Sequence, residues 1–237
     1  MTWLWRICFS CLWLLPVWCA NVKGSVVLTD SRDPGVRRNK DFRGVIVWLT
    51  PAGDDAPPPA ALRHYQMEQK NKRFIPHVLA VPVGATVDFP NHDPIFHNAF
   101  SNYSGKTFDL SLYPPGTSRK VVFDRPGIVR VFCNIHPTMS AIIAVLDTPW
   151  FAVSDPSGQF EIRNVPPGNY TLHVFHERAT EETLRALVRP VTVGRAAPRA
   201  LQSLRISETG YIPAPHKNKW GKDYPPVDGG PAYGPNL

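Results

Sequence analysis

The chain has 237 residues and a formal charge of +7, with 26 prolines, 16 glycines and four cysteines. That length allows one large or two small cores, and a positive charge spread without a basic block favours acidic protein surfaces or anionic headgroups as encounter partners and makes no case for nucleic acid. Proline and glycine at this density, among many Val and Phe, argue against a mainly helical chain and predict short strands joined by turns.

The chain opens MTWLWRICFSCLWLLPVWCA: one positive charge at Arg6, an apolar run over residues 7–18, then Cys19-Ala20 ahead of polar residues. This order reads as a signal peptide over 1–20, too short for a comfortable membrane span, and predicts export to a periplasm or equivalent compartment; an uncleaved anchor is the alternative. Cys8, Cys11 and Cys19 fall inside it, so the mature chain keeps Cys133 alone and forms no internal disulfide. Removing Arg6 takes the charge from +7 to about +6.

VKGSVVLTD (22–30) and FRGVIVWLT (42–50) read as strands, and PAGDDAPPPAA (51–61) as a linker with almost nothing apolar to bury. A regular strand series follows: LRHYQMEQ (62–69), HVLAVPV (77–83), ATVDFPN (85–91), FHNAFS (96–101), SRKVVFD (118–124), GIVRVFC (127–133) and SAIIAVLD (140–147). Short strands spaced by Gly and Pro turns predict a compact sandwich or barrel. Alternation in GIVRVFC sets Val129, Val131 and Cys133 on one face, so the thiol is expected to point inward at its strand's end. Beyond it, FAVSDPSGQFEIRNVPPGNYTLHVFHE (151–177) holds three strands joined by tight turns, and ALVRPVTV and QSLRIS supply more. TEETLRAL (180–187) suits a single helical turn, and residues 208–237, rich in Pro and Gly, read as extended or disordered.

The stretch CNIHPTM (133–139) places a thiol, an imidazole and a thioether within seven residues. Soft and borderline donors together favour copper over Mg or Ca. Cys133, His136 and Met139 sit three apart, so one tight turn can aim all of them at a point, and a second imidazole must then come from an adjacent strand, where His97 in NHDPIFHNAFS is best placed. A buried inert cysteine or a zinc site remains open from this pattern alone. His92 reads as a solvent-facing turn residue beside Asn91 and Asp93; His64, His77 and His216 have no comparable context, and His173 and His176 should lie on opposite faces of a strand.

Taken together, FIPHVLAVPVGATVDFPN, HNAFS and CNIHPTM resemble the plastocyanin-like cupredoxins, in particular the amicyanin type with its short ligand loop, over residues 62–147. The resemblance implies a mononuclear type 1 (blue) copper site with His97, Cys133 and His136 as equatorial ligands and Met139 as the axial one. It also implies that Asn98 ties the two ligand-bearing loops together. The function expected is to carry single electrons between redox partners, with no substrate chemistry of the chain's own; a copper chaperone or store, and a non-redox binding module, are the alternatives. GSVVLTD and GVIVWLT, with AVSDPSGQFEIRNVPPGNYTLHV, resemble a carboxypeptidase-regulatory-like or transthyretin-like β-sandwich. The chain as a whole is therefore expected to be all-β: a cupredoxin Greek-key sandwich (62–147) inserted into a small immunoglobulin-like or transthyretin-like sandwich (22–50 and 148–207), or in tandem with it, followed by the tail at 208–237.

Overall fold

The computed structural model describes residues 19–53, 57–61, 63–102, 105–194, 199–212 and 216–224. The expected signal peptide, Cys8 and Cys11 included, lies outside them apart from Cys19 and Ala20. Nearly all the regular structure of the described chain is strand. In order it forms β1 (Ala20–Thr29), α1 (Pro34–Asn39), β2 (Ile46–Pro51), β3 (His64–Gln66), β4 (Glu68–Lys70) and β5 (Arg73–Ile75). Then come β6 (Val78–Pro82), β7 (Ala85–Pro90), β8 (Phe100–Ser101), β9 (Phe108–Asp109), β10 (Ser118–Phe123), β11 (Gly127–Phe132) and β12 (Ser140–Leu146). The last are β13 (Phe151–Val153), β14 (Gln159–Val165), β15 (Gly168–Phe175), α2 (Glu181–Ala186), β16 (Arg189–Val193), β17 (Arg199–Ala200) and β18 (Leu204–Ser207). No helix among the described residues is long and apolar enough to cross a membrane.

Two predicted strands are shorter than their sequence suggests. LRHYQMEQ divides at Met67, which is fully buried and whose N–H donates to the Asp88 carbonyl at 2.8 Å. Of FHNAFS only Phe100–Ser101 is strand, because His97 is held by a two-bond bridge to Tyr113, with N–H to carbonyl distances of 3.2 and 2.9 Å. Helix α1 was not expected from the sequence. The Asp33 carboxylate accepts from the N–H groups of Gly35 and Val36, and Pro34 presets the first turn. The expected turn at 180–187 is the short helix α2, capped by Thr180.

One sandwich encloses the central part of the chain. Its smaller sheet has the order β10-β7-β3 and its larger β6-β12-β11-β8-β9. Between them Val87, Phe89, Val121 and Phe123 meet Val129, Val131, Ile143 and Val145 in one core. Cys133 and Met139, both fully buried, belong to that core, as the alternation of β11 requires for Cys133. The second sandwich draws on both ends of the chain. β1 pairs antiparallel with β14 and parallel with β17 and β18, while β2 lies between β13 and β15. Val26, Val47, Phe160, Ile162 and Tyr170 share its core. Gly158 turns the corner into β14 at φ +79, where a Cβ would stand 2.3 Å from the Val26 carbonyl oxygen, so no other residue fits. A third cluster, Ile46, Ala80, Ala144 and Leu146, with Trp48 and Phe175 against it, packs the outer face of β6 and β12 on the sheet of β2 and β15.

The reading of 208–237 as extended or disordered needs correction for the part that is described. Glu208 is buried and accepts from the His176 ring at 3.0 Å, the Arg178 guanidinium at 3.0 Å and the Ser31 hydroxyl at 2.6 Å. Residues 216–224 pack on the central sandwich, with Tyr224 buried. Composition misjudges this segment because its partners are polar groups and ring faces already fixed by the rest of the fold, and few apolar side chains are needed to hold it.

Candidate metal centre

Cys133 follows the last residue of β11, and the loop from it to β12 is closed by its own backbone. The Cys133 N–H donates to the Met139 carbonyl at 3.0 Å, and the Met139 N–H to the His136 carbonyl at 3.1 Å. This closure turns the His136 ring back toward the sulfur, with Nδ1 at 3.5 Å from Sγ. His97 reaches the same point from the segment before β8, its Nδ1 at 3.8 Å from Sγ. The ligand atoms of His97, Cys133 and His136 all lie within 4.8 Å of one another. The two imidazole rings stand 4.8 Å apart at 56°, so neither blocks the other's lone pair.

Burial and charge set the protonation states. Desolvation, with the nearby Lys72 charge adding to it, pushes the His136 imidazole down to about 4, so the ring is neutral at pH 7 and its lone pair can bind a cation. Burial pushes the Cys133 thiol up, while the N–H groups of Ile135, Asn98 and His136 act in the opposite sense. Those N–H groups mark the sulfur as a place where negative charge is received, and a bound cation would complete its deprotonation.

Asn98 spans both loops. Its Oδ1 accepts from the Asn134 N–H at 3.1 Å, and its Nδ2 donates to Asp109 at 2.7 Å and to the Ser111 carbonyl at 3.2 Å. Met139 is fully buried in the same core as Cys133. His92 is exposed. The other histidines are engaged elsewhere: His64 with Asp88, His77 with Glu177, His173 stacked on Trp48, His176 with Glu208 and His216 stacked on Phe132.

No family model matches the chain. The methylamine utilization protein MauL of Methylorubrum extorquens is 34% identical over 80 residues, which cover 33% of this chain and 70% of that protein. The chain belongs to the MauL family. Solved structures that match include a purple cupredoxin from Nitrosopumilus maritimus, at 26% identity and a TM-score of 0.32 over 35% of this chain and 99% of that one. An oxidized amicyanin mutant matches at 18% identity and a TM-score of 0.34, over 42% of this chain and 99% of its own. A copper-containing nitrite reductase from Thermus scotoductus matches at 24% identity and 0.34, over 51% of this chain and 28% of its own.

Sequence reasoning missed one residue of this site. Asp93, read as a neighbour in the His92 turn, is buried, and its Oδ2 accepts from His97 Nε2 at 2.7 Å. Burial alone would raise its carboxyl; the Lys72 N–H, the His97 ring and the Asn71 N–H outweigh that and hold it below the ordinary carboxylate range. The two N–H groups come from the tip of the β4–β5 hairpin, where Asn71 and Lys72 both take left-handed φ near +55. A carboxylate on Nε2 keeps the proton there and leaves the Nδ1 lone pair facing Cys133. The signal was the spacing Asp93 to His97, but four residues apart outside a helix carries no fixed geometry.

Proposed function

We propose that this chain is an exported single-copper protein that carries electrons, with His97, Cys133 and His136 as equatorial ligands and Met139 as the axial one. The observation that carries the reading is the convergence of two imidazole Nδ1 atoms on one buried thiol, within 4.8 Å, in a core where Met139 is also fully buried. Two nitrogens, a thiolate and a thioether are the donor set copper takes in electron-transfer sites. Copper bound there would supply a one-electron couple. The residues would hold it still: Asp93 fixes the His97 tautomer, Asn98 pins Asn134 to the segment carrying His97, and the loop is closed by its own backbone. Little then reorganises when an electron arrives.

Partner docking is read from the rim. Phe96, Ile135 and Leu112 are 53%, 43% and 52% exposed. They precede His97, His136 and the bridging Tyr113, so apolar side chains flank both ligand loops. A charge near +6 after removal of the leader favours an acidic redox protein as partner. Export rests on the leader sequence, and a role in methylamine utilization on the family relative. We further read residues 62–147 as a module inserted into a regulatory-like sandwich built from 22–50 and 148–207, supported by the pairing of β1 and β2 with strands that follow the module.

The test is to load the purified chain with copper. Expected is an intense visible thiolate-to-Cu(II) absorption that bleaches on reduction and returns on oxidation with the ion retained against a chelator, and that is lost in Cys133→Ser with the β fold kept. A colourless zinc-loaded protein of equal stability would sink the copper assignment, and ready loss of copper in either oxidation state would favour delivery or storage over electron transfer.

A further inference from the structure

The described C-terminal segment ends on the ligand loop, some 90 residues downstream of it: the Tyr224 hydroxyl donates to the Cys133 carbonyl at 2.6 Å across a separation of 91 residues. The Lys219 N–H donates to Asn134 Oδ1 at 3.0 Å, and the Lys219 ammonium donates to Asp109 Oδ2 at 2.7 Å. These bonds close a circuit. Asn98 gives Nδ2–H to Asp109 and takes the Asn134 N–H on Oδ1, Asn134 takes the Lys219 N–H, and Lys219 returns to Asp109. The His216 ring lies on Phe132, the residue before Cys133, with centroids 4.2 Å apart at 26°, and meets the Tyr224 ring edge-on at 5.1 Å.

The segment is also held by bonds of its own. Asn218 Oδ1 accepts from the N–H groups of Trp220 and Lys222, each at 3.0 Å, and its backbone pairs with Lys222 and Gly221 at 2.9 Å each. A segment folded on itself in this way loses less freedom on docking than a loose one. Its contacts include Phe132, Cys133, Asn134, Asp109, Asn102 and, through the His216 ring, the Pro137 carbonyl, and His136 keeps partial exposure with the segment in place.

We propose that residues 216–224 are a strap that positions the Cys133–Asn134 side of the ligand loop, with Tyr224 and Lys219 as its positioning residues, and that the strap slows release of the bound metal. The loop is held from within through its backbone closure at Met139 and His136, and the strap holds it from without, mainly at Cys133 and Asn134. This rests on the copper reading for its effect on metal release, while the effect on the loop itself does not.

The experiment uses the full mature chain, Tyr224→Phe, a chain ending at residue 212, and Lys222→Ala as a control at an exposed strap position whose backbone alone takes part in the segment's hydrogen bonds. In the metal-free proteins, amide exchange at Asn134 is expected to rise in Tyr224→Phe and further in the truncated chain, on the order of tenfold for the loss of one or two buried hydrogen bonds. In the copper-loaded proteins the same two variants should lose the ion faster to a chelator and show a shifted charge-transfer band, with Lys222→Ala as wild type. Wild-type exchange and release in both variants would overturn the strap. So would changes that appear only with a matching fall in global melting temperature, since those report general destabilisation. If the truncated chain does not fold, Tyr224→Phe decides alone. Failure of the wild-type chain to bind copper would remove the copper reading and the effect on metal release, and the exchange arm would still decide whether the strap positions the loop.

Discussion

At the scale of single residues, the site depends on which lone pairs point inward. His97 has two ring nitrogens and one thiol to face, and Asp93 decides between them by accepting a hydrogen bond from Nε2–H at 2.7 Å. The carboxylate is in turn gripped by the N–H groups of Asn71 and Lys72 at 2.6 and 2.8 Å, so it cannot swing away without giving up two charge-assisted hydrogen bonds. Asp93→Ala is expected to weaken copper binding about 10- to 100-fold, measured by competition with a chelator of known affinity, because the ring is no longer oriented from behind. Unchanged affinity would show that the bridge to Tyr113 alone is sufficient to orient His97.

At the scale of elements, the end of β18 is tied to the turn after β15 by a buried ionic cluster. Glu208 faces His176, Arg178 and Ser31, and Arg178 also faces Asp33 at 3.5 Å and Glu177 at 3.8 Å. Glu177 in turn accepts from His77, whose other ring nitrogen meets the Ser140 carbonyl, so the cluster reaches from one sandwich to the start of β12 in the other. Burial would raise the Glu208 carboxyl, but His176, Arg178 and Ser31 overcome it and hold it at about 2, against an ordinary 4.5. A depressed carboxyl adds stability that is fully present above the unfolded value and is lost as pH falls through the folded one. Stability is therefore expected to decline between about pH 4.5 and pH 2, and Glu208→Gln should flatten that part of the profile while lowering stability at neutral pH by about 2–4 kcal/mol. Denaturant melts at a series of pH values check it; a variant whose acid limb matches wild type would show that another carboxylate governs it.

At the scale of the molecule, β1 and β2 are interior strands of sheets whose other members lie more than 100 residues later. β1 runs between β14 on one side and β17 and β18 on the other, and β2 between β13 and β15. A fragment covering 148–207 would expose both faces of those vacated positions to water, with unpaired backbone groups along five strands. It is expected to give collapsed amide dispersion by NMR, and deletion of 22–50 is expected to unfold the C-terminal part while sparing 62–147. A folded 148–207 fragment would refute the inserted arrangement and favour a tandem.

Much was legible in the sequence because its causes are local. The β texture follows from alternation and from turn residues at short spacing, and GIVRVFC alone dictates that Cys133 faces Val129 and Val131 into the core. Cys133, His136 and Met139 share seven residues, so a single turn brings their backbones together whatever surrounds it. Other features required the folded neighbours. His97 reaches 3.8 Å from a sulfur 36 residues away only because β8 pairs with β11. Asp93 has the composition of a turn residue and becomes the partner of His97 only when the β4–β5 hairpin supplies its two N–H donors. The segment 216–224 has the composition of a loose tail, and only the tertiary structure gives Tyr224 a carbonyl and His216 a ring face. Composition measures what a segment can bury by itself; the free energy that orders this one comes from hydrogen-bonding groups and ring faces prepared elsewhere in the chain.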